Sequence, residues 1–198
     1  MKFTSESKFL LGILAVTTVV VGAAVWFFSR PTPTVTISKE TLIASDSQNL
    51  GNKDAANYLV EFSDFQCPAC RAYTPAVNEL ATKYSEKLLI VYRHFPLPQH
   101  AYAKQAAYIA EAAGLQGKFW ETAKILFDNQ DKFSDEFFST QFPQLTPNDA
   151  IKQKVDRDLN LARMLKVSST PTFFLNGVIL KNLFGPQDLV TAVEKVLQ

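Results

Sequence analysis

Residues 9–28 form an unbroken apolar run, twenty positions without a charge and with only Thr17 and Thr18 as polar side chains. At about 1.5 Å of rise per residue, a helix of that length spans the roughly 30 Å core of a bilayer. Trp26, Phe27 and Phe28 stand where an interfacial aromatic belt would lie. Lys2 and Lys8 precede the run and Arg30 follows it, a bias toward an N-terminus on the inside. A cleaved secretory signal is the competing reading, with small residues at Val21-Gly22-Ala23-Ala24. These lie inside the run, and a signal core spans only about 7–15 residues, so an uncleaved anchor is expected. The organisation predicted is a short cytoplasmic N-terminus (1–8), a transmembrane anchor (9–28), an extended linker (29–45) that opens on Ser29-Arg30-Pro31-Thr32-Pro33-Thr34, and one domain (46–198) outside the cytoplasm, in the periplasm or at the cell exterior.

Beyond the linker the pattern alternates between two periods. Tyr58-Leu59-Val60-Glu61-Phe62 and Leu88-Leu89-Ile90-Val91-Tyr92 are short, nearly continuous apolar runs, as expected for strands buried on both faces. Between them Tyr73, Ala76, Val77, Leu80, Ala81 and Tyr84 recur at helical spacing, so 58–92 predicts a βαβ unit with a right-handed crossover. Alanine and aromatic stripes over 103–113 and 119–127 predict two helices, and Phe133, Phe137 and Phe138 read as core beside them. A further helix over 151–165 is expected to start from Thr146-Pro147. Thr172-Phe173-Phe174-Leu175 and Val178-Ile179-Leu180 flank Asn176-Gly177 as a hairpin, and a helix over 189–197 closes the chain. The fold class is α/β: βαβ, a helical block, then ββα, a mixed sheet with an inserted helical subdomain.

Composition narrows the function. Of 198 residues 47% are hydrophobic and 16 are Phe, which supports a packed core. A net charge of +1, with neither sign in blocks, gives no basic stripe for nucleic acid. Two cysteines exclude a multi-bridge scaffold and a four-cysteine zinc site.

Those two cysteines form Cys67-Pro68-Ala69-Cys70, directly after the first predicted strand and at the start of the first predicted helix. Unpaired N–H groups and the macrodipole at a helix N-terminus favour negative charge, and therefore a thiolate at Cys67. Pro68 is tolerated there because its missing N–H would be unpaired anyway. Cys70 follows one turn later on the same face, so the pair can cycle between disulfide and dithiol without any other cofactor. A purely structural disulfide would close too small a loop to remove much chain entropy. Zinc would need two more ligands, and the only histidines, His94 and His100, fit no common spacing. They read as surface or hydrogen-bonded residues.

The motifs also carry a resemblance. Leu50-Gly51-Asn52-Lys53-Asp54-Ala55, Val60-Glu61-Phe62-Ser63-Asp64-Phe65-Gln66-Cys67-Pro68-Ala69-Cys70, Gly117-Lys118-Phe119-Trp120 and Ser169-Thr170-Pro171-Thr172-Phe173-Phe174-Leu175-Asn176-Gly177 resemble, in order over residues 50–198, the DsbA family of thiol–disulfide oxidoreductases, most of all its membrane-anchored or secreted bacterial members. The resemblance implies a thioredoxin fold with a helical insertion, here about 98–168. It implies a cis-proline at Pro171 after Thr170, facing the cysteines, and a buried acid at Glu61 that relays a proton to Cys70. It implies thiol-bearing exported proteins as substrates and a membrane quinone-linked partner, DsbB-like or resembling vitamin K epoxide reductase (VKOR-like), as the source of oxidising power. The strongly oxidising members carry His where this chain has Ala69, which offers no side-chain donor. A disulfide donor is the expected activity. A reductase or isomerase, and a tethered binding module with a structural or metal-holding CxxC, are the alternatives.

Overall fold

A computed structural model describes residues 5–29 and 35–198. The chain divides into two compact units, Met1–Val35 and Thr36–Gln198. Residues 1–4 of the expected cytoplasmic terminus and 30–34 of the expected linker lie outside the described residues.

In the first unit, helix α1 (Ser5–Phe28) takes in the whole apolar run. Its segment Leu11–Phe28 has a mean hydropathy of 2.3, long and apolar enough to cross a membrane. Thr17 and Thr18 hydroxyls donate to the carbonyls of Ile13 and Leu14 at 2.9 and 2.7 Å. Each polar side chain is thus satisfied within its own helix, as an apolar surrounding requires.

The second unit begins with residues expected to be extended linker. They differ from that expectation because their apolar side chains find a core. Thr36 bridges to Val178 and the Ile37 N–H donates to the Gly177 carbonyl at 2.8 Å. Ser38 caps the one-turn helix α2 (Lys39–Leu42), and Leu42 is fully buried against the sheet.

Five strands, β1 (Gln48–Gly51), β2 (Asn57–Ser63), β3 (Leu88–His94), β4 (Thr172–Leu175) and β5 (Val178–Ile179), make one sheet in the order β1-β3-β2-β4-β5. Strands β2 and β3 are parallel, joined through helix α3 (Pro68–Lys83), and are almost wholly buried, as the continuous apolar runs predicted. Strand β4 runs antiparallel to β2 and turns into β5 through Asn176 (φ 49°) and Gly177 (φ 83°), the left-handed pair that a two-residue hairpin needs. Edge strand β1, antiparallel to β3, has no apolar alternation to reveal it. It ends at Gly51, whose φ of 81° and close approach to the Leu88 carbonyl leave no room for a Cβ.

Side-chain alternation along β2 sorts its residues. Val60 and Phe62 enter the core shared with Leu42, Leu159 and Phe174, while Leu59 enters the core against α3 and the closing helix α8 (Pro186–Leu197). Period two therefore sends Glu61 and Ser63 to the α3 face with Leu59.

Helices α4 (Ala103–Gly114), α5 (Phe119–Asp128), α6 (Asp135–Gln141) and α7 (Asp149–Met164) form the insertion between β3 and β4. Helix α7 is capped not by Thr146-Pro147 but by Asn148, whose Oδ1 accepts from the Ile151 N–H at 2.9 Å. Asn is among the strongest caps. Phe119, Phe127, Phe133 and Phe138 pack in one core that runs on to Phe65, Cys67 and Cys70. Two buried polar contacts tie β3 to this block, and a third acts within it. Arg93 meets Asp158 at 3.1 Å, and Glu111 takes His94 at 2.8 Å and Lys154 at 2.6 Å. Burial pushes the Glu111 carboxyl up, but the His94 hydrogen bond and the Lys154 ammonium outweigh it and hold it down at about 2.

Candidate active site

Strand β2 ends at Ser63, and four residues later Cys67 is the N-cap of α3, with Pro68 at its first turn. The turn between them is a knot of hydrogen bonds. The Asp64 carbonyl accepts the Cys67 N–H at 3.0 Å, and the Asp64 N–H points at the Cys70 sulfur at 3.5 Å. The Asp64 carboxylate accepts from the Gln66 and Leu97 N–H groups and from His100 Nδ1, at 2.7, 2.8 and 2.7 Å. His94 and His100 are thus hydrogen-bonded residues, and His94 is also fully buried.

The sulfurs are unbonded and very different. Cys67 is 7% exposed and Cys70 is completely buried. The Cys67 thiol is pulled down to about 5, first by a hydrogen bond from Cys70, against the cost of burial, and then by the backbone N–H groups of Cys70 and Ala69. Ala69 therefore contributes through its backbone although its side chain is exposed and inert. Burial pushes the Cys70 thiol far above its ordinary value, reinforced by its hydrogen bond to Cys67 and the charge of Glu61.

Glu61 is 6% exposed, paired in register with Tyr92 on one side and Phe173 on the other. Burial raises its carboxyl to about 7, helped by the charge of Cys67. Glu61 and Tyr92 line a cleft of about 330 Å³ rimmed by Thr74, Asn78 and Lys124.

Across from Cys67 lies the loop before β4. The Thr170–Pro171 peptide bond is cis. The Thr170 carbonyl oxygen is 3.4 Å from Cys67 Sγ and accepts from the thiol. This loop and Ala69 open onto a groove of about 500 Å³ that also holds Tyr73, Leu183 and Phe184. The Phe184 ring is 91% exposed.

The fold thus brings Cys67, Cys70, Glu61, Thr170 and Pro171 together from three segments, with Pro68 and Ala69 exposed on the rim. Ser63, Tyr92, Asp64, His100 and Gln130 join them without having been singled out as site residues. Ser63 could have been found by stepping two residues along the strand from Glu61, whereas Gln130 carries no local signal. Among the described residues no group of three or more His, Cys, Asp and Glu side chains is placed to hold a metal ion.

Fold and site define a thioredoxin-like α/β domain with an inserted helical subdomain, the fold of DsbA-like thiol–disulfide oxidoreductases. The chain belongs to the Thioredoxin_4 family of thioredoxins, which residues 43–195 match. Its fold is shared with a periplasmic thioredoxin-like protein from Salmonella enterica serovar Typhimurium (TM-score 0.71, 20% identity, covering 82% of this chain and 99% of that one). It is shared as well with the thiol-disulfide exchange protein α-DsbA2 from Wolbachia pipientis (TM-score 0.68, 19% identity, covering 80% and 91%). In sequence, 157 residues are 38% identical to a Na(+)/H(+) antiporter NhaA 1 of Mycolicibacterium vanbaalenii, covering 73% of this chain and 25% of that protein. The chain thus spans about a quarter of the length of the curated relatives it matches.

Proposed function

We propose that the protein is a membrane-tethered thiol–disulfide oxidoreductase that donates its Cys67–Cys70 disulfide to thiols of exported proteins. The observation that carries the reading is the asymmetry of the two sulfurs: Cys67 at a helix N-terminus with its thiol pulled down, Cys70 sealed beneath it with its thiol pushed up. A substrate thiolate attacks Cys67 Sγ, the Cys67–Cys70 bond breaks, and Cys70 leaves with the electron pair. Cys70 is a poor leaving group as a bare thiolate in its buried site, so it takes a proton from Glu61, which is held near neutral for that exchange. A second substrate thiolate then attacks the mixed disulfide, and Cys67 departs as a stabilised thiolate. The substrate loses two electrons and the enzyme is left as a dithiol.

Stabilising the Cys67 thiolate stabilises the reduced enzyme, which makes its disulfide the more oxidising and favours the donor direction. The Cys70 thiol and the backbone N–H groups of Cys70 and Ala69 supply that stabilisation where Ala69 has no side-chain donor. Helix α1 anchors the chain once in the membrane with its N-terminus inside, and the domain faces the oxidising side, where disulfides persist. A quinone-linked membrane partner, DsbB-like or VKOR-like, takes the two electrons and restores the disulfide.

The test is the redox equilibrium of the full chain in detergent micelles against graded glutathione buffers. The thioredoxin and DsbA poles differ by about 150 mV, or about 7 kcal/mol for two electrons. A value near the DsbA pole supports a disulfide donor. A value near the thioredoxin pole makes the protein a reductase or isomerase, and absence of exchange overturns the enzymatic reading.

A further inference from the structure

Gln130 lies outside every motif, in a single 3-10 turn (Gln130–Lys132) between α5 and α6, yet it reaches the active-site turn. Its Nε2 donates one hydrogen to the Phe65 carbonyl at 2.8 Å and the other to the Cys67 carbonyl at 2.9 Å. The residue is 8% exposed, and its Oε1 is buried without a partner among the described residues. A half-satisfied amide in such a place is a poor stabiliser, since an apolar side chain of the same volume would avoid the desolvation of Oε1. What the amide does achieve is geometric. It clamps the two carbonyls that bracket Gln66, while Gln66 Oε1 accepts the Tyr102 N–H at 2.7 Å and the Phe65 ring stacks on Tyr92 at 5.0 Å.

From this clamp we infer that Gln130 is a positioning residue for the exchange reaction. By holding the Phe65 and Cys67 carbonyls it fixes the Cys67 backbone so that the N–H groups of Ala69 and Cys70 bear on the Cys67 sulfur, and it thereby sets how readily Cys67 ionises. The physical reason is twofold. One of the two carbonyls belongs to the residue that must carry negative charge and the other stands two residues before it, and the amide N–H groups offset their negative ends. The first turn of α3 is also held in one geometry while Cys67 changes partner between Cys70 and a substrate. The inference rests on the exchange reading proposed above.

The experiment compares wild type with Gln130→Met, which keeps the volume and removes both donors, and with Gln130→Asn, which keeps the amide but is one methylene too short to span both carbonyls. Cys70 and Glu61, the titratable groups around Cys67, are untouched in both. The readouts are the Cys67 thiolate titration followed by ultraviolet absorbance, the equilibrium constant with glutathione, and the melting temperature. Gln130→Met is expected to move the thiolate midpoint up by about half a unit to one unit, a threefold to tenfold change. The glutathione equilibrium should move several-fold toward the disulfide form. Gln130→Asn should shift both in the same direction by less, and it carries the comparison if the Met variant does not fold. A fall in melting temperature with midpoint and equilibrium unchanged would reduce Gln130 to a structural residue and overturn the inference. A wild type with no depressed thiolate and no exchange would instead overturn the exchange reading itself, so the two failures are distinct.

Discussion

The backbone of Asp64 binds both cysteines: its carbonyl accepts the Cys67 N–H at 3.0 Å and its N–H points at Cys70 Sγ at 3.5 Å. One peptide at the end of β2 thus fixes the start of α3 and supports the buried sulfur. The side chain of Asp64 carries the anchoring farther, to Leu97 and His100 at the start of the insertion.

The two sulfurs should separate by mutation. Cys67→Ser is expected to abolish exchange. Cys70→Ser should leave Cys67 able to attack but unable to be released, so mixed disulfides with substrate proteins accumulate and are seen as reducible adducts by mass. Equal loss without adducts in both variants would contradict the assigned order of attack.

Alkylation of the reduced protein should follow a single ionisation near pH 5, because Cys67 is held at about 5. Cys70, buried and pushed up, should stay unmodified in the native state. Peptide mapping after pulsed alkylation checks both statements.

Glu61 has a raised folded pKa of about 7 against an ordinary value of 4.5. Between those values the folded protein binds more protons than the unfolded one, so this residue's contribution to stability is present at low pH and is lost as pH rises through about 7. In Glu61→Gln that loss should vanish. Denaturant unfolding of the reduced form should then show a gain over wild type that grows from pH 4.5 to pH 7. The same variant should turn over more slowly, with a changed pH profile, because Cys70 would lose its proton source.

The segment before β1 should count as part of the domain. Leu42→Ala removes a fully buried side chain from the core around Phe62 and Phe174, and should cost about 2–5 kcal/mol in unfolding free energy. If residues 36–45 were a free tether, the substitution would cost nearly nothing.

Glu111→Gln should be the most damaging change far from the cysteines. It leaves His94 and Lys154 facing a neutral amide in a buried site, and breaking a buried pair costs about 3–5 kcal/mol. Thermal unfolding measures it, and normal stability would contradict the assigned ion pairs.

Much of this architecture is written in local pattern. Continuous apolar runs made β2 and β3 legible, because a strand covered on both faces has no polar side to show. The hairpin was legible because Asn-Gly tolerates two left-handed residues. Strand β1 escaped, since Gln48 and Asn49 owe their conformation to pairing with β3 rather than to any pattern of their own. The cap of α7 was misplaced by two positions for a similar reason: Thr146-Pro147 has the right chemistry, but the chain enters the helix at Asn148.

By itself, then, the sequence determined whatever depends on neighbours within a turn or a strand: the apolar helix, the βαβ order, the placement of Cys67 and Cys70 at a helix start. Tertiary structure decided what depends on distant groups. Thr170 meets Cys67 across 103 positions, and Gln130 reaches the Phe65 and Cys67 carbonyls across 65 and 63. Glu61 could be read as a lone charge in a strand, but its displaced pKa follows from burial between Tyr92 and Phe173, above all from the loss of water. Desolvation is a property of everything packed around a group, and no stretch of chain short enough to carry a motif can encode it.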